Sequence, residues 1–143
     1  MNILVINGPN LNFLGIRNKE VYGSRDYNAL LEMIGEWADK KNCQVEVFQS
    51  NHEGAIIDRL QEAYSDGTEG IVINPGAFTH YSYAIRDALE SIEMIPKVEV
   101  HLSDISTRES FRAVSVTAEV CNKQIKGHGF DGYIEGMDYL LSL

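Results

Sequence analysis

The feature of this sequence that most limits its fold is an alternation of short apolar segments with longer helical repeats. The segments ILVIN at 3–7 and GIVIN at 70–74 are apolar in succession, which is typical of parallel strands covered on both faces. Between them, apolar residues at helical spacing predict a helix over 27–41, with Asp26 as its N-cap. Strands that alternate with helices in this way favour right-handed crossovers and a parallel sheet.

The later part of the chain continues this alternation. Thr79 can cap a third helix whose buried side includes Tyr81, and Pro96 would prevent that helix from continuing. The other predicted elements are a second strand around Val47, a second helix around Leu60, a fourth strand at 98–102, a helical or turn segment at 108–113, a fifth strand at 124–126 and a last helix at 133–143. Together they predict an α/β fold, a flavodoxin-like three-layer sandwich with a five-stranded parallel sheet of order 2-1-3-4-5. A chain of 143 residues fits one such domain, spanning 1–143.

Charge and cysteine content narrow the classes of function. The net charge of -9 repels phosphate backbones and anionic lipid, so nucleic-acid and membrane partners are not expected. Cys43 and Cys121 follow no zinc or redox spacing, and we expect buried, inert thiols in a reducing compartment. No apolar run approaches the ~18 residues of a membrane span. We therefore expect a soluble, cytoplasmic protein.

Polar residues on the fourth strand give the strongest local indication of chemistry. Glu99, His101 and Ser103 alternate with apolar residues and therefore share one face of a strand that should be buried. An unpaired carboxylate or imidazole there would cost roughly several kcal/mol, so we expect Glu99 to accept a hydrogen bond from a ring nitrogen of His101. The pair could be purely structural, but its place at a strand end favours general acid–base chemistry.

Other polar residues follow the strands that should neighbour this one. Ligands of open parallel sheets bind beyond the carboxyl ends of the strands, where strand order reverses. Asn10 follows the first strand, Asn74 ends the third, and His80 lies shortly after it. In the order 2-1-3-4-5 these residues should converge with His101 on one cleft.

Two further segments carry arginines that could act at this cleft. The connection at about 14–24 is long and polar, resembles a lid, and contains Arg17 and Tyr22. To lower the pKa of a tyrosine from about 10 to about 7.5 takes about 3.4 kcal/mol, of which one partly desolvated arginine supplies about half. Arg108 and Arg112 would share one face if their segment is helical. The alternative for the connection at 14–24 is a solvated loop, and the alternative for Arg108 and Arg112 is a solvated basic face.

Several segments, in this order, resemble the type II 3-dehydroquinate dehydratase family. They are LVINGPNLNFLGIR, VYGS, SNHEGAIIDRLQEA, GIVINPGAFTHYSYAIRDAL, VEVHLSDISTRESFR, SVTAEV and IKGHGFDGY. The resemblance implies a lyase of the shikimate pathway, and so of aromatic amino acid biosynthesis, that needs no metal, cofactor or Schiff base. It would convert 3-dehydroquinate to 3-dehydroshikimate by anti elimination of water through an enolate.

The resemblance also implies a catalytic role for six matched residues, of which Asn10 acts through a bound water. Tyr22 would remove the proton beside the ketone, with its phenolate held by Arg17 and Arg108. His101, oriented by Glu99, would protonate the departing hydroxyl.

The same resemblance implies the substrate contacts and the assembly. Asn10 would hold a water that stabilises the enolate oxygen, and Asp87 would reach into an adjacent subunit's site within a dodecamer built of trimers. Without the resemblance, Asp87 beside Arg86 would simply be a solvated helical ion pair. The remaining contacts would be Asn74, Leu102 and Ser103 with the substrate carboxylate, and His80 and Arg112 with its ring hydroxyls.

The chain departs from the family pattern VEVHLSNIHAREEFR at Asp104, Ser106 and Thr107. These departures leave the proposed chemistry intact. They should alter the rim of the cleft and its local pKa values.

A second class of function fits the fold alone, namely a flavodoxin-like non-enzymatic binding or signalling module. A phosphoacceptor receiver needs acidic residues where this chain has Asn7, Asn10 and Asn74, and asparagine cannot accept a phosphoryl group. A flavin carrier needs a hydroxyl-rich loop in place of GPNLN, and no metal or phosphate motif such as HExxH or GxxxxGK[ST] is present. A Schiff-base enzyme needs a lysine at its site, whereas the lysines here fall on expected surface elements or, for Lys97, at the entrance to the fourth strand.

Overall fold

A computed structural model describes residues 1–16 and 25–143. Its centre is a five-stranded parallel sheet in the order β2-β1-β3-β4-β5, which confirms the predicted fold class and strand order. The strands are β1 (Asn2–Asn7), β2 (Gln44–Gln49), β3 (Gly70–Asn74), β4 (Lys97–His101) and β5 (Lys123–Lys126).

Within residues 1–16 and 25–143, four α-helices cover the two faces of the sheet. They are α1 (Tyr27–Lys41), α2 (Glu53–Ala63), α3 (Tyr83–Ser91) and α4 (Asp131–Ser142). Helices α1 and α4 pack on one face, where Val5, Val72 and Val100 are buried, and α2 and α3 pack on the other, where Ile6 and Ile73 are buried. The strands are therefore apolar on both faces, as the segments ILVIN and GIVIN predict.

Helix α1 has the bounds that its sequence predicts. Asp26 accepts a hydrogen bond of 2.9 Å from the backbone N–H of Ala29, so it caps the helix as expected. Asn42 ends the helix in the left-handed conformation, with φ of 55°. Trp37 donates a hydrogen bond of 2.9 Å to Asp138 and so connects α1 to α4.

The third helix begins later than predicted. Residues Gly76–His80 form a 3-10 helix, and Ser82 caps α3 by accepting a hydrogen bond of 3.0 Å from the N–H of Ile85. Thr79 cannot serve as this cap because its hydroxyl is fully buried and bonds to residues after β4. Tyr81 precedes the helix and is 59% exposed, so its predicted burial is wrong.

Lys97 begins β4, as expected, whereas the two cysteines differ from expectation. Lys97 is only 1% exposed, and its Nζ donates to the backbone carbonyls of Ile92 and Ile95 at 3.0 and 2.7 Å, where α3 has just ended. Cys43 and Cys121 are partly exposed, whereas we expected buried thiols. Burial nevertheless raises the pKa of the Cys121 thiol to about 12. Among the described helices, none has the length and apolar composition that a membrane crossing requires.

Candidate active site

A cleft opens beyond the carboxyl ends of β1, β3 and β4. It brings together most of the predicted site residues within the described chain. Its lining includes Asn10, Asn74, His80, His101, Leu102, Ser103, Arg108 and Arg112. The convergence that strand order predicts is therefore present.

Two glycines allow the loops that form the cleft floor to approach each other. The N–H of Gly8 donates to the carbonyl of Asn74 at 2.8 Å. A Cβ on Gly8 would lie 2.4 Å from the carbonyl oxygen of Pro75, so no larger residue fits there. Gly76 has φ of +60° and packs against Pro9. The loops after β1 and β3 are thereby held together.

Asn10 is held by residues that the sequence analysis did not single out. Its backbone is left-handed, with φ of 71°, and its N–H donates to Asn51 Oδ1 at 3.0 Å. Gln49 donates to the same oxygen at 3.2 Å and to the carbonyl of Gly8 at 3.1 Å. Because these partners lie 41 residues away along the chain, no local pattern points to them.

Asn74 is buried and its amide is oriented by three hydrogen bonds in series. Its Oδ1 accepts from the N–H of Gly76 at 3.1 Å, and its Nδ2 donates to the hydroxyl of Tyr133 at 3.1 Å. Tyr133 in turn donates to Asn7 Oδ1 at 2.6 Å. Burial raises the pKa of Tyr133, so its hydroxyl keeps the proton that this series requires.

His101 and Glu99 form the predicted hydrogen bond. Nε2 of His101 lies 2.9 Å from Oε2 of Glu99, and both side chains are buried although His101 reaches the cleft. Burial alone would raise the pKa of Glu99, but the hydrogen bond and charge of His101, with bonds from Thr117 and Gln124, outweigh it and lower the pKa. The carboxylate is therefore ionised at neutral pH and holds the ring in the Nε2–H tautomer.

Three more donors surround the same carboxylate, and sequence reasoning missed them. Ser115 and Gln124 donate to Glu99 Oε2 at 2.8 and 2.9 Å, and Thr117 donates to Oε1. Gln124 is opposite Glu99 in the register of β4 and β5, which is the one sequence-level signal that could have found it.

The arginine side of the cleft is not one helix. Two short 3-10 segments, Ile105–Thr107 and Ser110–Ala113, flank Arg108, whose backbone is extended. The condition for a shared helical face of Arg108 and Arg112 is therefore not met, although both line the cleft. Arg112 donates to Glu109 at 2.6 Å, which fixes its guanidinium at the rim.

His80 and Arg112 are placed by a shared aromatic neighbour. The ring of Phe111 meets the His80 ring edge-on with centroids 6.2 Å apart, and the Arg112 guanidinium lies 4.8 Å from its centroid. His80 Nδ1 also lies 2.7 Å from the carbonyl oxygen of Val114, to which it donates. This bond leaves the other ring nitrogen for the cleft.

Three departures from the family pattern, at Asp104, Ser106 and Thr107, form a small cap at the rim. Asp104 Oδ1 accepts from both the N–H and the hydroxyl of Ser106, at 3.0 and 2.6 Å. These two bonds lower the pKa of Asp104, with a further contribution from Lys126. Thr107 donates to the carbonyl of Asp104 at 2.8 Å. The departures thus stabilise the turn that leads from β4 to Arg108.

The remaining predicted site residues lie apart from this cleft or outside the described residues. Asp87 is exposed on α3, and Arg86 pairs with Glu119 at 2.9 Å instead of forming the default ion pair with Asp87. Arg17 and Tyr22, with most of the predicted lid, lie outside the described residues.

Comparisons with known proteins agree with one another. The family model for class II dehydroquinase matches residues 1–141. A 3-dehydroquinate dehydratase of Lachnospira eligens is 60% identical over 100% of this chain and 97% of its own length. One from Thermotoga maritima is 58% identical over 98% of this chain and 94% of its own length.

Solved structures give the same result. A type II dehydroquinase from Butyrivibrio crossotus is 63% identical, superposes with a TM-score of 0.98, and is matched over 99% of this chain and 97% of that one. A type II dehydroquinase from Propionibacterium acnes, at 37% identity and the same coverage, has a TM-score of 0.94. This chain belongs to the class II dehydroquinase family.

Proposed function

We propose that this chain dehydrates 3-dehydroquinate to 3-dehydroshikimate by acid–base catalysis without a Schiff base. The observation that carries the proposal is the His101–Glu99 pair at the floor of a cleft lined by Asn74, Arg108 and Arg112. The names of the relatives and the matched length of the chain support the choice of substrate. A sugar-like acid with one carboxylate suits arginines gathered on a protein whose net charge is -9.

The geometry supports His101 as the acid of this elimination. Nε2 of His101 is hydrogen-bonded to Glu99, so Nδ1 is the ring atom that can pass a proton to the departing hydroxyl. When the ring is an imidazolium, transfer from Nδ1 yields water and leaves the neutral Nε2–H tautomer that Glu99 already binds. The proton lost beside the ketone goes to the base, and the electron pair passes through the enolate to expel the hydroxyl.

The base is assigned to Tyr22 on the family resemblance. Arg17 and Arg108 would hold its phenolate, and Asn10 would hold a water on the enolate oxygen. Asn74, Leu102 and Ser103 would bind the substrate carboxylate, and His80 and Arg112 its ring hydroxyls. Support comes from the shared cleft, which contains every one of these residues that the structure describes; Arg17 and Tyr22 lie outside the described residues.

The proposal is tested by adding 3-dehydroquinate to metal-stripped protein and recording absorbance of the conjugated enone product. We expect His101→Ala and Tyr22→Phe each to lower kcat by about 100-fold or more while the fold persists, because general acid–base groups contribute at least that much. Arg17→Ala should raise the kinetic pKa assigned to the base. A parent protein that makes no enone would favour the binding or signalling module instead.

Borohydride separates this mechanism from a Schiff-base one. Treatment with substrate and borohydride should leave activity unchanged. Loss of activity, with substrate attached to a lysine, would reject the enolate mechanism.

We also propose the dodecamer of trimers, with Asp87 serving a neighbouring subunit's site. Asp87 is exposed on α3, away from the cleft of its own chain, and this position supports the role. The test is to mix Asp87→Ala and His101→Ala subunits after dissociation. Reassembled mixtures should recover activity that neither variant has alone, since some sites would then hold both native residues. A mixture as inactive as its components would contradict a shared site.

A further inference from the structure

The buried carboxylate of Glu99 receives four hydrogen bonds from four different side chains. His101, Ser115 and Gln124 donate to Oε2 and Thr117 donates to Oε1. An ionised carboxylate accepts about four hydrogen bonds and donates none. Three of these donors converge on Oε2 and Thr117 bonds to Oε1, and together they stabilise the ionised carboxylate.

The hydroxyl of Thr79 contacts two of these donors. The Thr79 hydroxyl lies 2.6 Å from Ser115 Oγ and 2.8 Å from Thr117 Oγ1. Ser115 and Thr117 each have one hydroxyl proton, and both are directed to Glu99. Thr79 must therefore be the donor in its contact with one of them. The ionised Glu99 thus accepts these two hydroxyl bonds together with the bond from Nε2–H of His101.

Gln124 differs from the other two added donors. Ser115 and Thr117 also contact each other and Thr79, whereas Gln124 approaches from the edge strand β5. Gln124 is not among the described residues that line the cleft, so it acts on substrate only through Glu99 and His101.

We propose that Gln124, supported by Thr117 and Ser115, is a positioning residue for the dehydration: its amide keeps Glu99 ionised and thereby keeps His101 bonded through Nε2–H, so that Nδ1 faces substrate and carries the transferable proton once the ring is an imidazolium. The inference rests on the proposed role of His101 as the acid. Removing the Gln124 amide opens one acceptor position on Glu99, where a proton or a water can bind. His101 then loses its single defined tautomer.

The test compares Gln124→Met with Gln124→Glu. Met removes the donor, and kcat should fall about tenfold at every pH with KM within about twofold, because a bond to a charged group is lost outside the substrate site. Glu restores a donor only while it is protonated. Its kcat should therefore approach the parent value at low pH and fall as pH rises, when two carboxylates face each other.

Gln44→Met is the matched control, because Gln44 is exposed at the start of the opposite edge strand. It should keep the parent's kcat and pH profile. Should Gln124→Met fail to fold, Thr117→Val against Thr117→Ser repeats the comparison, with Ser restoring kcat and Val lowering it. Parent kcat and pH profile in both folded Gln124 variants, or in folded Thr117→Val, would overturn the proposal.

Histidine ¹⁵N chemical shifts give a readout that does not depend on turnover. The His101 signal, assigned by its loss in His101→Ala, should report Nε2–H in the parent and an averaged tautomer in Gln124→Met. A defined Nε2–H tautomer in both would overturn the positioning role. If His101→Ala keeps full activity, the proposed function fails instead, and the tautomer measurement still judges Gln124 on its own.

Discussion

The hydroxyl of Tyr133 accepts a hydrogen bond of 3.1 Å from the side-chain amide of Asn74 and donates one of 2.6 Å to Asn7. Tyr133 belongs to α4, which packs across β3 and β4, and its ring is fully buried. An amide that has no fixed partner can rotate, but this series directs Nδ2 toward Tyr133. The hydroxyl of a core tyrosine therefore orients a polar group of the cleft.

Tyr133→Phe is expected to raise KM more than it lowers kcat. The change leaves the fold's packing in place but deprives Asn74 of an acceptor and Asn7 of a donor, at about 1–3 kcal/mol of stability for each unsatisfied group. Steady-state kinetics and thermal unfolding measure the two effects. Tyr139→Phe on the same helix is the control, and equal KM values in both variants would contradict the orienting role.

Glu99→Gln should lower kcat by at least about 100-fold. Its amide nitrogen carries two protons, which would face donors that now point at a carboxylate oxygen. The nitrogen would face Thr117 if it took the place of Oε1, or His101, Ser115 and Gln124 if it took the place of Oε2. Kinetics on the folded variant measure the loss, and turnover close to the parent's would show that the charge of Glu99 is not needed.

The same carboxylate predicts how stability depends on pH. The pKa of Glu99 is lower in the folded protein than in the unfolded chain, where it is about 4.3. Its ionised form therefore stabilises the fold above that value, and this contribution is lost as pH falls through the lower, folded pKa. Urea unfolding at several acidic pH values should show a steeper loss in the parent than in Glu99→Gln.

How much of this molecule the sequence alone predicts depends on how far apart along the chain the interacting residues lie. The helix from Tyr27 and its cap at Asp26 depend on neighbours within one turn, and both were predicted. The strand order follows from alternation and handedness, which are also visible in sequence. Thr79 was misread as a cap because its hydroxyl bonds 36 and 38 residues ahead. Gln124 and Tyr133 were missed for the same reason, since their partners are 25 and 59 residues away.

Lys97→Met is expected to destabilise the fold and to leave the kinetics of the folded enzyme unchanged. Burial lowers the pKa of Lys97, and its amine satisfies two carbonyls at the end of α3, each costing about 1–3 kcal/mol when left unpaired. The side chain does not line the described part of the cleft, so it cannot form a Schiff base there. Urea unfolding measures the loss of stability, and kcat at a permissive temperature measures the activity of the folded variant. A folded variant without activity would give Lys97 a role in the reaction.

Gly8→Ala is expected to damage both stability and activity, because the added methyl would overlap the backbone of the neighbouring loop. The new Cβ would lie 2.4 Å from the carbonyl oxygen of Pro75 and 3.3 Å from that of Asn74, neither of which can move without opening the cleft floor. Gly35 in α1 is the control, since a Cβ there meets nothing within 4 Å. Gly35→Ala should stabilise the protein by about 0.5–1 kcal/mol through helix propensity alone. Thermal unfolding and kcat/KM of the pair measure the contrast, and a Gly8→Ala protein as stable and active as Gly35→Ala would mean that the loops after β1 and β3 do not need their close contact.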